Sequence, residues 1–159
     1  MDDKRLKTAI FTGHRHIDNE DMPDLLRRID ETIEGLIRQG VVFWGCGGAI
    51  GFDQMAGFAV LRLRAKYPFI KLIMVLPCHG QESRWTESDK QAYKRLLDDA
   101  DKVVYVSDYY YDGVMAIRNK YLTEHSGVCV AYLRRWDSGT GQTVRRAQAQ
   151  GLEVINLAE

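Results

Sequence analysis

Between positions 41 and 53 an apolar run, Val41-Val42-Phe43-Trp44, breaks into Gly45-Cys46-Gly47-Gly48-Ala49-Ile50-Gly51 and closes on Phe52-Asp53. Four glycines in seven residues let the backbone reach positive φ and leave no Cβ between its N–H groups and an anion. The pattern reads as strand, turn and helix start, so the partial positive charge of a helix N-terminus adds to the same spot. The chemistry this allows is anion binding, with a purely steric turn as the alternative. Two other glycine fingerprints fail here. No Gly-Lys-Ser or Gly-Lys-Thr follows, which excludes the phosphate loop of NTPases, and Ile50 stands where G-x-G-x-x-G needs its third glycine. A nicotinamide site is not expected, and no cofactor is called for.

Asp53 falls in the first turn of the following helix, where an acid is favoured by the dipole whatever the function. If it serves a ligand, it accepts hydrogen bonds from ribose hydroxyls or base amino groups and leaves the phosphate to backbone N–H groups. Arg118 lies on the face that Val114, Ile117, Tyr121, Leu122 and His125 define at helical spacing. A guanidinium buried there needs a partner, either a protein carboxylate or a ligand anion that suits its planar fork. Thr140 and Thr143 could bond a phosphate or cap the last helix. Should a glycosidic bond be cleaved, a carboxylate must stabilise the developing charge on the ribose, and Asp53 and Glu82 are the candidates.

His14, Cys46, Cys78 and His79 raise a zinc reading, but their spacing fits no recognised zinc pattern and no metal is expected. Cys46 is alternatively a reactive thiol beside a helix N-terminus. Trp85 and Tyr109-Tyr110-Tyr111 either stack on a base or cover apolar surface near the loops.

These groups need elements to position them. Lys7 to Thr12 reads as a first strand ending in Gly13-His14-Arg15. A helix follows from Asn19 or Asp21, with Pro23 in its first turn, to Gly40. Strand two spans 41 to 45, and a helix runs from about Phe52 to Lys66, where Tyr67-Pro68 breaks it. Strand three is Ile70 to Leu76, followed by a long polar loop over 78 to 86 and a helix from about Ser88 to Ala100. Strand four at 102 to 106, a helix near 113 to 125, strand five at 128 to 132, a helix over about Thr143 to Gln150 and strand six at 152 to 157 complete the chain. Alternating strands and helices with continuous apolar strands predict a single three-layer α/β/α Rossmann-like domain over 1 to 159 with a mainly parallel sheet. In such sheets ligands gather at the carboxyl ends of the strands. The clusters Thr12 to His16, Gly45 to Asp53, Cys78 to Trp85 and Arg134 to Thr143 all fall at that end.

Composition narrows the partners. Lysine plus arginine and aspartate plus glutamate stand at 22 each, giving a net charge of +0 and no global field for nucleic acid. Three cysteines without a C-x-x-C argue for a reducing compartment. The charged start lacks a signal-peptide core and no apolar run reaches membrane-spanning length, so the expectation is a cytoplasmic protein with no membrane partner. Self-association as a homo-oligomer stays open.

Quoted together, the motifs Thr-Gly-His-Arg at 12 to 15, Gly-Gly-Ala-Ile-Gly-Phe-Asp at 47 to 53, Pro-Cys at 77 and 78, Trp85, Arg118-Asn119-Lys120-Tyr121 and Ser-Gly-Thr-Gly-Gln-Thr at 138 to 143 form one series. Over nearly its whole length the chain resembles the SLOG superfamily, in its YpsA-like branch. That superfamily includes the DNA-processing protein DprA (Smf) and the LOG-type phosphoribohydrolases. The resemblance implies a Rossmann-like fold and a small nucleotide or nucleotide-derived ligand, bound as by a sensor or carrier. It implies a ligand site at Thr12, Gly13, His14 and Arg15, a first ligand loop at Gly47, Gly48, Gly51 and Asp53, a helical polar pair at Arg118 and Asn119, and a second loop at Gly139, Thr140 and Thr143. Two departures stand out. Ser138 replaces the glycine that often opens the second loop, and Val144-Arg145-Arg146 follows it where LOG enzymes carry glutamates. Phosphoribohydrolase activity on nucleoside monophosphates is therefore the alternative reading, and DprA-like nucleic-acid binding the third.

Overall fold

A computed structural model describes residues 2–159. Six strands form one sheet: β1 (Thr8–Gly13), β2 (Phe43–Cys46), β3 (Lys71–Leu76), β4 (Lys102–Tyr105), β5 (Val128–Tyr132) and β6 (Glu153–Asn156). All ladders are parallel and the order is β4-β3-β2-β1-β5-β6. The helices are α1 (Asp3–Leu6), α2 (Met22–Arg38), α3 (Phe52–Arg64), α4 (Glu87–Asp99), α5 (Val114–Glu124) and α6 (Gly139–Ala149). The alternating pattern thus yields the parallel α/β architecture that its apolar strands predict. The single turn α1 has no counterpart in that pattern, because it buries nothing and is held by the Asp2 carboxylate accepting the Arg5 N–H at 2.9 Å.

Alternation along each strand sends neighbours to opposite faces. Phe11 and Trp44 stack at 5.6 Å on the side of α2, α3 and α4, with Ile29, Ile33, Leu72, Met74 and Leu96. Ile10, Val75, Cys129 and Ala131 face the other way, against Leu122 of α5 and Val144 and Ala147 of α6. The chain leaves β1 towards β2 and leaves β5 towards β6, while β1 and β5 pair from Ala9↔Val128 to Gly13↔Tyr132. Connections diverge at that pair, so a crevice opens beyond its carboxyl end.

Helix α6 begins one turn earlier than the expected Thr143. Ser138 caps it, its Oγ accepting the Gly141 N–H at 3.0 Å and donating to the Arg135 carbonyl at 2.6 Å. Gly139 and Thr140 are therefore first-turn residues of a helix and not part of a loop.

Candidate functional site

The crevice between β1 and β5 is a cleft of about 720 Å³. Its walls include Thr12 and Gly13 at the end of β1, His14, Arg15, His16 and Asp18 after it, Asp53 of α3, Met115, Arg118 and Asn119 of α5, and Tyr132, Arg134, Arg135, Ser138, Gly139, Thr140 and Thr143 around the β5–α6 connection. Of the residues singled out from sequence, Thr12, Gly13, His14, Arg15, Asp53, Arg118, Asn119, Gly139, Thr140 and Thr143 meet here.

Gly47, Gly48 and Gly51 do not line it. A Cβ on Gly47 would lie 2.5 Å from Arg118 Nη1, one on Gly48 would lie 2.9 Å from the Tyr93 ring, and one on Gly51 would lie 2.2 Å from the Arg15 carbonyl oxygen. These glycines let the protein pack against itself, with Gly48 at φ 76° and Gly51 at φ 85°. Glu82 is also outside the cleft. It lies on the loop after β3, where its charge acts on Tyr93, and the adjacent Gln81 ties that loop to the Gly47 carbonyl at 3.1 Å and to the Tyr93 hydroxyl at 2.9 Å. Glu82 is thus no candidate for chemistry in this cleft.

On α5 the buried residues are Val114, Arg118, Leu122 and Thr123. Ile117 and His125, read from spacing as inward, are exposed, and Arg118 occupies the centre of the buried stripe. Arg118 as a whole is 5% exposed. Nε donates to Asn119 Oδ1 at 2.8 Å and Nη1 to the Gly47 carbonyl at 3.0 Å, which fixes the fork without neutralising it. Among the described residues no carboxylate comes within ion-pair distance and Nη2 has no acceptor, although the side chain lines the cleft. Burial holds the Arg118 pKa below its usual value, with Asp53 the first of the charges that oppose this.

Opposite Arg118 stands the start of α6. Thr140 and Thr143 are buried; Thr143 Oγ1 donates to the Gly139 carbonyl at 3.1 Å, whereas Thr140 Oγ1 bonds to nothing among the described residues. The first N–H groups of an α-helix have no partner within it, so this end offers donors and a partial positive charge to the cleft. Arg15, Arg134 and Arg135 add three exposed guanidinium groups around the mouth. The arginine pair, His16 and Asp18 were not marked individually from sequence; the signal for the pair was its place directly after a strand.

Asp53 is 7% exposed, and burial pushes its carboxyl up to about 6 against the pull of Arg118, the Ala49 N–H and Arg15. A carboxyl whose folded pKa exceeds its unfolded value holds its proton more tightly when folded, so stability falls as pH rises from 3.8 to about 6 and stays lower above that. Asp53→Asn is expected to raise stability at neutral pH by about 1–3 kcal/mol and to remove that fall. Urea midpoints at acidic and neutral pH check this; a lower neutral midpoint would make Asp53 a net stabiliser through Arg118.

Burial raises the Cys46 thiol well above its ordinary pKa and takes Cys129 to about 12; Cys46 also donates to the Asp53 carbonyl at 3.2 Å. Neither presents a thiolate, so the reactive-thiol reading of Cys46 fails. No group of three or more His, Cys, Asp or Glu suited to a metal occurs among the described residues. Trp85 packs edge-on against Tyr93 at 5.3 Å, away from the cleft, while Tyr109 and Tyr110 are largely exposed. No helix among the described residues is long and apolar enough to cross a membrane.

Comparison with known proteins matches residues 10–150 to the YpsA model, described as the YspA SLOG family. The uncharacterized SPbeta prophage-derived protein YoqJ of Bacillus subtilis is 34% identical over 64% of this chain and 67% of its own length. A UPF0398 protein of Halalkalibacterium halodurans is 31% identical over 67% of this chain, which spans 58% of that relative. Among solved structures, DNA processing protein A from Helicobacter pylori, described in a single-stranded DNA binding mode, superposes with a TM-score of 0.65 at 21% identity, over 96% of this chain and 67% of that one.

Proposed function

The chain belongs to the YspA SLOG family, and on that premise we propose that its β1–β5 cleft binds a small phosphorylated, nucleotide-like ligand, as a sensor or carrier. The observation that carries this reading is Arg118, a buried cation with no carboxylate within ion-pair distance among the described residues, lining the same cleft as the N-terminus of α6. A charge left so needs an anion to offset its desolvation, and a phosphate satisfies guanidinium and helix N–H groups together. The volume of about 720 Å³ lies within the usual range of ligand sites, roughly 300–1,000 Å³, and leaves room for more than phosphate. Asp53 supplies an acceptor for hydroxyl or amino groups on the remainder. Thermal unfolding with inorganic phosphate, pyrophosphate and a nucleotide panel tests this: a rise following RT ln(1 + [L]/Kd) supports it, and no rise with any of them refutes it.

Hydrolysis of a nucleoside monophosphate is the second reading, favoured by the Asp53 carboxyl standing near 6 inside the cleft. Against it, the residues after Thr143 are Val144, buried in the core, and Arg145, which donates to the Trp136 carbonyl at 3.1 Å and stacks on that ring. Among the described residues no carboxylate other than Asp53 and Asp18 lines the cleft. Chromatography of AMP after long incubation is expected to show no free base; base release that disappears in Asp53→Asn would install the enzyme reading.

A further inference from the structure

We propose that His14 is a positioning residue of this cleft: its ring nitrogen Nε2 accepts the backbone N–H groups of both Arg134 and Arg135 and thereby sets the arginine pair at the mouth, a hold that protonation of the ring breaks. This rests on the reading that the cleft takes an anion. The two contacts measure 2.9 and 3.2 Å. A backbone N–H can only donate, so Nε2 must offer its lone pair and the ring proton must sit on Nδ1. That assignment follows from the partners, with no choice of tautomer left. Nδ1–H finds no acceptor among the described residues, and the ring lines the cleft, so it is one more donor for a bound anion.

The ring is held from several sides. The backbone N–H of His14 donates to the Tyr132 carbonyl at 3.3 Å, its backbone carbonyl accepts from Phe52 N–H at 3.2 Å, and the Tyr132 ring meets the imidazole edge-on at 6.2 Å. The charged groups around it are Arg134 and Arg135 after β5, Arg15, His16 and Asp18 on its own loop, Asp21 through its 3.3 Å contact with Arg134, and Asp53 and Arg118 in the cleft. Burial first, then Arg135 and Arg134, lower its pKa, so the ring is neutral at neutral pH. Acidification places a proton on Nε2, which removes both hydrogen bonds and sets a third cation against two arginines. An ordinary anion site tightens as acid adds positive charge; His14 works in the opposite direction.

The test has two arms. In the ligand-free chain, ¹⁵N NMR should show Nδ1 protonated and Nε2 bare at neutral pH. The Arg134 and Arg135 amide signals should then move with the ring as it titrates below 6.5. A proton on Nε2 at neutral pH, or amides indifferent to the titration, overturns the proposal. In the second arm, pyrophosphate affinity is measured across the same pH range for the wild type and for His14→Gln, whose Oε1 accepts hydrogen bonds and does not titrate. Protonation of Asp53 and of pyrophosphate is common to both proteins, so the difference between the profiles isolates His14. Relative to its own neutral value, the wild type should lose on the order of tenfold more affinity than the variant at the acidic end, as expected for two lost hydrogen bonds. Superimposable profiles overturn the proposal. If pyrophosphate binds neither protein, the anion reading of the cleft fails, and the NMR arm alone decides the role of His14.

Discussion

Gly51→Ala is expected to cost more than about 4 kcal/mol, enough to leave little folded protein, because two independent penalties coincide at one atom. Gly51 has φ 85° and ψ −127°, a region that side-chain-bearing residues essentially do not enter. A Cβ there would also lie 2.2, 2.6 and 2.7 Å from the O, C and Cα of Arg15, all backbone atoms with no rotamer to yield. Moving the Arg15 backbone would separate the β1 loop from the start of α3, where Phe52 N–H meets the His14 carbonyl. Gly35→Ala is the control. It sits within α2 with nothing inside 4 Å of the added carbon, and it should stabilise by about 0.5–1 kcal/mol through helix propensity alone. Urea unfolding of the two variants gives the contrast; a Gly51→Ala protein as stable as the wild type would disprove the close approach.

Arg118→Lys is expected to weaken pyrophosphate binding by about 10- to 100-fold, which corresponds to roughly 1–3 kcal/mol. Charge is retained, but an ammonium cannot hold the Gly47 carbonyl and Asn119 Oδ1 while presenting a second amine to the cleft. Gly47→Ala should give a comparable loss with Arg118 untouched, since its Cβ would lie 2.5 Å from Nη1 and 2.8 Å from Cζ and would push the fork aside. Gly47 does not have positive φ and the clash is with the end of a side chain, so the fold should survive this substitution. Titration calorimetry of both variants is the measurement. Full affinity with lowered stability would make Arg118 a structural residue that ties α5 to the Gly47 and Val75 carbonyls.

The parallel α/β fold was legible because strand and helix periodicity are local, and because Gly40, Pro68 and Pro77 punctuate the chain where elements end. The end of the sheet that carries the polar clusters was legible for the same reason. The start of α6 was not: Gly139-Thr140-Gly141 has the composition of a loop, and it is helical because Ser138 caps it and Gly141 fits against the Trp136 carbonyl, where a Cβ would stand at 2.2 Å. Spacing put Ile117 and His125 of α5 inside, yet a helix buries whichever face its neighbours cover, and those two are left exposed. The glycines at 47, 48 and 51 were visible as a cluster, but only tertiary packing decided that Arg118, Tyr93 and the Arg15 backbone fill the space beside them. Glu82 lay near the other clusters along the chain, and the fold carries it towards Tyr93. The hold of His14 on Arg134 and Arg135 spans 120 residues of sequence. It exists because β1 and β5 are neighbours in the sheet, a pairing set by where the chain reverses its direction of travel, on which no local pattern of residues bears.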